Sequence, residues 1–173
     1  MPARADNPYE VLAEAFGYPE PGRLEEVQTG LSLLPAGQVM NELAEFVKQV
    51  GKLDLGEWEE LYTRTLDLNP PAAPYIGFQI WGESYQRGTF LARMNHELME
   101  KDVEPSGELP DHLIPVLRYL GRTVEPIAEL VEVMDTALQR MLTALCKVDP
   151  ENPYGHLLEA VRGLCKVNQK EEA

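Results

Sequence analysis

The sequence is poor in cysteine, histidine and basic residues. It contains two cysteines, three histidines and 15 lysine and arginine residues, against 29 aspartate and glutamate residues, which gives a formal net charge of −14. Such a charge repels phosphate backbones, so we expect no nucleic-acid partner. An acidic surface keeps a protein soluble and also attracts cationic peptides. Cys146 and Cys165 fall near apolar positions of predicted helices, and we expect both to be buried free thiols instead of a disulfide.

Long apolar runs are also lacking. No stretch of about 18 uninterrupted apolar residues, the length that a membrane-spanning helix requires, occurs in the sequence. The first residues do not form an apolar run with a small-residue cleavage site, so we expect no secretory signal and a cytoplasmic protein that does not insert into membranes. The length suits one compact domain over residues 1–173, with frayed termini at 1–6 and 168–173.

Apolar residues recur at helical spacing through most of the chain, and no stretch of alternating β-branched residues is long enough to predict a sheet. The sequence therefore predicts an all-α, single-domain bundle of about 8–10 helices. We expect helices near residues 22–33, 37–50, 55–68 and 83–101, others that begin after Asn7, Asp111, Thr123 and Asn152, and a short helical segment from Pro74 to Trp81.

Familiar enzyme motifs are absent from the sequence. It has no glycine-rich phosphate loop, no His-Glu-x-x-His, no Cys-x-x-Cys and no nucleophile elbow. The histidines are scattered, and His96 points away from the apolar face of its predicted helix. We therefore expect no enzymatic activity, no metal site and no bound cofactor.

The first informative cluster runs from Trp81 to Gly88, at the start of a long predicted helix. On a helical wheel Glu83 and Arg87 continue the apolar stripe of Leu91 and Met94 instead of opposing it, so this i,i+4 pair faces protein. It can act as an ion pair that fixes two helices together. It can also act as a polar anchor at the end of an apolar groove, where a desolvated charge pair orients a peptide.

The second cluster is Glu108-Leu-Pro-Asp-His-Leu113, a proline-stiffened turn that enters a helix. Asp111 is a good N-cap for this helix, which leaves the imidazole of His112 beside the apolar stripe, free to donate or accept a hydrogen bond. A carboxylate and an imidazole in one turn also allow an acid–base pair, although no third partner is evident.

These two clusters, together with Tyr62-Thr-Arg-Thr-Leu-Asp67, resemble the NarJ branch of the TorD/DmsD/NarJ redox-enzyme maturation chaperones. The resemblance spans roughly residues 7 to 145, and Glu108-Leu-Pro-Asp-His-Leu113 is its most specific part. It implies a TorD-like, all-helical cytoplasmic chaperone that binds the N-terminal segment of a molybdopterin-dependent catalytic subunit, such as that of respiratory nitrate reductase. Such a chaperone keeps the apo-subunit competent for cofactor insertion and delays membrane docking or export.

The resemblance also implies a peptide-binding set and a set of partners. The expected peptide contacts are Glu83, Arg87, Pro110, Asp111 and His112, an aromatic wall of Tyr75, Phe78 and Trp81, and Tyr62 on the far side of the groove. Proteins of molybdenum cofactor biosynthesis are further expected partners. The stretch from Asn69 to Pro74 is a proline-rich hinge, which leaves a monomer and a domain-swapped dimer both open.

Three alternatives remain open at this point. The stretch from Asn69 to Pro74 differs from the pattern of nitrate reductase chaperones, so the client can also be a sulfoxide, selenate, oxyhalide or hydrocarbon oxidoreductase. The chain can instead be a helical enzyme that uses Asp111 and His112. It can also be a structural subunit that stays in a mature complex.

Overall fold

The computed structural model describes residues 6–68 and 70–171, and within them the chain is all-α, as predicted, with nine α-helices and no strand. No helix in this part of the chain is long and apolar enough to cross a bilayer. The α-helices are α1 (Pro8–Ala15), α2 (Arg23–Ser32), α3 (Gln38–Val50), α4 (Leu55–Tyr62), α5 (Ile76–Trp81), α6 (Tyr85–Glu100), α7 (Leu113–Leu120), α8 (Ala128–Val148) and α9 (Tyr154–Glu171).

Side-chain caps determine where several helices begin. The Asn7 side-chain oxygen accepts a hydrogen bond from the backbone of Tyr9 at 3.0 Å, which confirms the predicted start of α1. The helix predicted to begin near residue 83 begins instead at Tyr85, because Ser84 is its N-cap and accepts from the backbone N–H of Arg87. Glu83 therefore lies outside the helix, one residue before its cap.

Two other predicted caps are wrong. His112, and not Asp111, caps α7, because the His112 Nδ1 atom accepts from the backbone N–H of Ile114 at 3.1 Å. Thr123 accepts a hydrogen bond from Glu125 but starts no helix, and α8 begins four residues later than expected, at Ala128. The proline that follows Glu125 disfavours helical geometry there, which delays the helix.

The helix predicted over residues 55–68 is α-helical only to Tyr62 and continues as a π-helical segment, Thr63–Asp67. Within it Thr65 is buried, and its hydroxyl accepts a hydrogen bond from the Asn152 side chain at 2.8 Å. The wider π-helical turn thus meets the connection between α8 and α9. Asn69, the first residue of the proposed hinge, lies outside the described residues.

Aromatic side chains of α3, α4 and α9, together with Phe16 at the C-cap of α1, pack together in the core. Phe16, Phe46, Trp58, Tyr62 and Tyr154 pack at ring distances of 5.2–6.5 Å. The Trp58 indole N–H donates to the Tyr154 hydroxyl at 3.1 Å, which satisfies the buried polar atoms. Burial raises the pKa of both tyrosines, to about 12 for Tyr62. Tyr62 is therefore a core residue, and not the far side of a surface groove.

Helix packing brings α5, α6 and α7 together. Helix α1 packs on α7, α3 on α9, and α5 on both α6 and α8. Arg118 on α7 donates to Glu10 at 3.1 Å and to Glu14 at 3.2 Å, which ties α7 to α1. This arrangement places both sequence clusters at the same junction, since one starts α6 and the other starts α7.

A hydrogen bond to the first helix joins the charged C-terminal stretch to the rest of the fold. Helix α9 continues through Glu171, and the Asn168 side chain donates a hydrogen bond to the Tyr9 hydroxyl on α1. This contact closes the last helix against the first. Residues 1–5, 172 and 173 of the expected frayed ends lie outside the described residues.

The two cysteines differ in exposure, contrary to the expectation that both are buried. Cys146 is exposed, and Cys165 is half-buried against the core. The apolar stripe of α8 runs through Met141 and Leu145, and the next position along a helix turns about 100° away from it. Cys146 therefore faces outward.

One thiol of the native protein should react promptly with a thiol reagent at pH 8, and the other should not. Burial raises the pKa of Cys165 to about 12, so almost none of it is thiolate at that pH. The Cys146→Ser variant should lose the prompt reaction, and Cys165→Ser should keep it. Equal reaction of both thiols in the folded protein would contradict this assignment.

Candidate functional site

A short antiparallel contact joins the chain before α5 to the chain before α7. The Ile76 N–H donates to the Asp111 carbonyl at 2.8 Å, and the Leu113 N–H donates to the Pro74 carbonyl at 2.9 Å. These backbone bonds place Tyr75 opposite His112. The starts of the two helices are thereby held in register, so their side chains meet in a defined geometry.

A bidentate ion pair connects the two sequence clusters at this junction. The Arg87 guanidinium donates from Nε to Asp111 Oδ2 at 3.1 Å and from Nη2 to Oδ1 at 3.2 Å. The Asp111 side chain is fully buried, and only 13% of the Arg87 side chain is exposed. Such a pair is strong and geometrically specific because two charge-assisted hydrogen bonds form away from water.

The predicted pair of Glu83 with Arg87 is therefore wrong, although the prediction that Arg87 faces protein is confirmed. Glu83 is exposed and precedes the N-cap of α6, so the i,i+4 geometry of a continuous helix does not apply to it. Arg87 reaches instead to a carboxylate that is 24 positions away in the sequence.

Gly77 makes the close approach of α5 to this ion pair possible. A Cβ atom at this position would lie 2.8 Å from Asp111 Oδ2, 3.0 Å from a ring carbon of Phe90 and 3.3 Å from Arg87 Cγ. Any side chain there would displace the carboxylate or the helix. Sequence reasoning did not single out Gly77, although a glycine inside a helical segment is the signal for such an approach.

Two aromatic side chains, Tyr75 and Phe78, flank the guanidinium of the ion pair, and together with Trp81 at the end of α5 they form what we call the aromatic surface. The Arg87 guanidinium lies 5.7 Å from the ring centre of Tyr75 and 5.5 Å from that of Phe78, both within cation–π range. Trp81 packs on the buried Phe90, with ring centres 5.0 Å apart. All three members are only partly buried, so each is anchored from below and leaves some surface open.

Acidic side chains lie beside the aromatic surface. The Tyr75 hydroxyl donates to Glu108 Oε2 at 2.8 Å, and burial together with this carboxylate raises the pKa of Tyr75. Burial and the charge of Glu108 also raise the pKa of Asp67. The side of the aromatic surface next to Tyr75 is thus negatively charged.

His112 is buried at the same junction and is held in one tautomer. Its ring packs edge-on to Tyr75 at 5.0 Å, and its Nδ1 accepts from a backbone N–H, which puts the proton of the neutral ring on Nε2. Burial lowers the pKa of His112, while Glu108 and Asp111 oppose this shift. The Asp111 carboxylate points to Arg87, so both groups of the proposed acid–base pair have other partners.

Replacing His112 with asparagine should reduce the loss of stability on acidification. The pKa of His112 lies below its unfolded value of about 6.5, so its contribution is complete above that pH and is lost as the pH falls through the folded pKa. Asparagine can cap α7 in the same way but does not titrate. Urea unfolding at pH 7.5, 6.5 and 5.5 measures the effect.

The exposed His96 supplies a matched control for this prediction. We expect His96→Asn to keep the pH dependence of the wild-type free energy of unfolding, because the substitution changes an exposed side chain and leaves His112 in place. Groups remote from His112 titrate equally in all three proteins, so the difference between variants reports on His112 and on the carboxylates that face it. Identical pH dependence in wild type and His112→Asn would contradict a buried neutral imidazole.

The predicted site residues divide into three groups in the structure. Arg87, Asp111, His112 and the aromatic surface come together at the junction of α5, α6 and α7. Pro110 is half-buried in the turn that leads into Asp111. Tyr62 is only 7% exposed and belongs to the aromatic core, and Glu83 makes none of the contacts expected of it.

Comparison with models of known protein families finds no match to this chain, and comparison with curated proteins finds no significant relative. The resemblance to the maturation chaperones therefore depends on the motifs quoted above. Among the described residues no group of three or more histidine, cysteine, aspartate or glutamate side chains is placed to hold a metal ion.

Proposed function

We propose that this protein is a cytoplasmic assembly chaperone for a molybdopterin-dependent oxidoreductase. It would bind the N-terminal segment of the apo catalytic subunit and release it for membrane docking or export once the molybdenum cofactor is inserted. The resemblance of the motifs at residues 62–67, 82–88 and 108–113 to the NarJ branch suggests this function. The arrangement of those motifs in the fold supports it.

The observation that carries the proposal is the aromatic surface with a buried ion pair beneath it. Tyr75 and Phe78 flank a guanidinium that is itself fixed by two hydrogen bonds, so these rings are held in place before any ligand arrives. A preorganised surface loses little conformational entropy on binding. Partly exposed aromatic side chains of this kind are the usual anchors of peptide and protein recognition.

The charge of the surroundings favours a basic partner. Glu108 and Asp67 lie beside the aromatic surface, and the whole chain carries a formal charge of −14. An amphipathic helix could lay its apolar side chains on the aromatic surface while its basic side chains meet the carboxylates. The charges would raise the association rate and make binding sensitive to salt.

The geometry favours binding over acid–base catalysis at this site. A general base must reach the proton that it removes, yet the Asp111 carboxylate is fully buried and bound to Arg87. His112 uses Nδ1 to cap α7. Both residues thus act in holding the site together, which a chaperone needs and which requires no turnover.

The test is calorimetric titration with synthetic N-terminal peptides of molybdenum-enzyme catalytic subunits from the same organism, at low and high salt. One peptide should bind tightly at low salt, and its affinity should fall as the salt concentration rises. The sequence of that peptide would identify the client among nitrate, sulfoxide, selenate, oxyhalide and hydrocarbon oxidoreductases. Failure of every such peptide to bind at low salt would overturn the proposal.

Variants of the aromatic surface locate the binding site. Phe78→Ala should lower the affinity for the peptide by about 10- to 100-fold, the effect expected for an aromatic anchor. Leu33→Ala removes an exposed apolar side chain at the end of α2 and should leave the affinity unchanged. Circular dichroism confirms that both variants are folded, and Phe78→Leu provides a milder change if Phe78→Ala is not. Equal affinities in all variants would place the peptide elsewhere.

A further inference from the structure

A large concavity lies away from the aromatic surface, and we call it the acidic concavity. It has a volume of about 1220 Å³ and is walled by α3, α4, the connection between α8 and α9, and the first turn of α9. None of Tyr75, Phe78 and Trp81 lines it. Apolar side chains contribute to its lining, with Leu61 and Leu142 buried and Leu53 half-buried.

The lining of the acidic concavity is strongly negative. Seven carboxylates against two basic side chains leave a formal charge of −5 when His156 is neutral. The carboxylates are Glu42, Glu45, Glu57, Glu60, Asp149, Glu151 and Glu159, and the basic residues are Lys52 and Arg64. The carboxylates come from α3, α4, the connection between α8 and α9, and α9, so they are distributed around the lining and are not clustered at one place.

Contacts within the protein neutralise only part of this charge. Glu42 is paired with His156 at 2.6 Å, and Asp149 lies 3.9 Å from Arg64. Glu45 lies 4.0 Å from Lys48 and Glu159 lies 3.9 Å from Arg162, two cations outside the lining. Glu57 accepts a hydrogen bond from the backbone N–H of Asp54 in the cap of α4. Glu60 and Glu151 are exposed on the walls. Like charges gathered around a concave surface strengthen its field and attract ligands of the opposite sign. The carboxylates of Glu60 and Glu151 are therefore available to a partner.

We propose that the acidic concavity is a docking surface for a cationic amphipathic helix of a partner protein. Such a helix has one apolar face, which fits the apolar side chains that the lining exposes, those of Leu53, Pro150 and Pro153, and basic side chains that fit the surrounding carboxylates. A helix about 10 Å across fills roughly 1000 Å³ over two and a half turns, which matches the volume of the concavity. This surface is separate from the proposed peptide site, and the inference does not depend on that function.

The composition of the lining selects this occupant over smaller cations. A metal ion or a polyamine would meet some of the carboxylates but would leave the apolar residues of the lining exposed to water. Burial of apolar area supplies most of the affinity of a helix in a groove, and the charges supply steering and orientation. A partner that has both features uses the whole surface.

The probe for this inference is a synthetic 14-residue amphipathic peptide of leucine and lysine with a fluorescent label, titrated with the full chain at low salt. The double variant Glu60→Lys/Glu151→Lys should weaken its binding by at least about 10-fold and reduce the salt dependence. Glu25→Lys/Glu132→Lys makes the same change in net charge on exposed glutamates outside the concavity, and should change the affinity by less than about 3-fold.

Four results would overturn the inference. The wild-type chain could fail to bind the peptide, the two double variants could weaken binding equally, or a glycine–lysine peptide of the same charge could bind as tightly. Phe78→Ala should bind the leucine–lysine peptide as wild type does. Loss of binding in that variant would place the probe on the aromatic surface, which would refute this docking surface and leave the proposed function standing.

Discussion

Replacement of Asp111 with alanine is expected to lower the free energy of unfolding by about 3–5 kcal/mol, the usual cost of removing one partner of a buried ion pair. The variant leaves the guanidinium of Arg87 with 13% of its side chain exposed and without its carboxylate. For a chain of this size the melting temperature should fall by on the order of 10 °C. Urea unfolding and thermal melts followed by circular dichroism measure both quantities.

A surface ion pair supplies the matched control. Arg93 donates to Glu129 at 2.6 Å, but more than half of the Arg93 side chain is exposed, so Arg93→Ala should cost less than about 1 kcal/mol. The double variant Arg87→Met/Asp111→Leu should recover part of the loss, since it leaves no unpaired charge. An Asp111→Ala variant as stable as Arg93→Ala would show that the buried pair does not hold this junction together.

The substitution Gly77→Ala is expected to destabilise the protein by about 2–3 kcal/mol, although alanine favours helices more than glycine does. The new methyl group would lie 2.8 Å from Asp111 Oδ2 and 3.0 Å from the buried ring of Phe90. Neither neighbour can move freely, because the carboxylate is bound to Arg87 and the ring is packed in the core. Chemical unfolding measures the change.

Gly88→Ala is expected to change the free energy of unfolding in the opposite direction. Gly88 lies in α6, is exposed, and has no atom within 4 Å of the position that a Cβ would take. Alanine there should stabilise the protein by roughly 0.5–1 kcal/mol through the unfolded chain and helix propensity. Two variants with the same chemical change should thus move in opposite directions. A stabilised Gly77→Ala protein would refute the close approach of α5 to the ion pair.

The same contacts link stability to binding. Arg87 is held by Asp111 on one side and lies against Tyr75 and Phe78 on the others. If peptide binding depends on rings that are already in position, Asp111→Asn should lower the affinity for the peptide even when the variant is folded. Its affinity, compared with that of Arg93→Ala, would separate a role in positioning from a general loss of stability.

Helical periodicity and composition predicted most of the architecture. The bounds expected for α2 and α3 agree with the structure to within one residue, and the short segment that ends at Trp81 is a helix as expected. These elements were predictable because apolar spacing of 3.6 residues and clear end signals act locally. Errors occurred where two local signals competed, as at Glu83 and Ser84, or where a proline delayed the start of α8.

The candidate site was only partly predictable for the same reason. The two clusters that carry it were identified from the sequence, and the structure brings them to one junction. The partner of Arg87 was predicted wrongly because a helical wheel considers only neighbours within one helix. Tyr62 was misplaced because an aromatic residue in a motif can face either the core or the surface.

The sequence by itself determined that this protein is an acidic, all-α bundle, and it identified the two segments that meet at the candidate site. Only the tertiary structure decided that Arg87 pairs with Asp111 and that this pair lies against Gly77. It also decided that His112 caps α7 and that carboxylates from four segments form one acidic concavity. The physical reason is that helix formation follows from short-range periodicity and capping. A buried ion pair, a missing Cβ or a shared electric field instead depends on residues that only packing brings together.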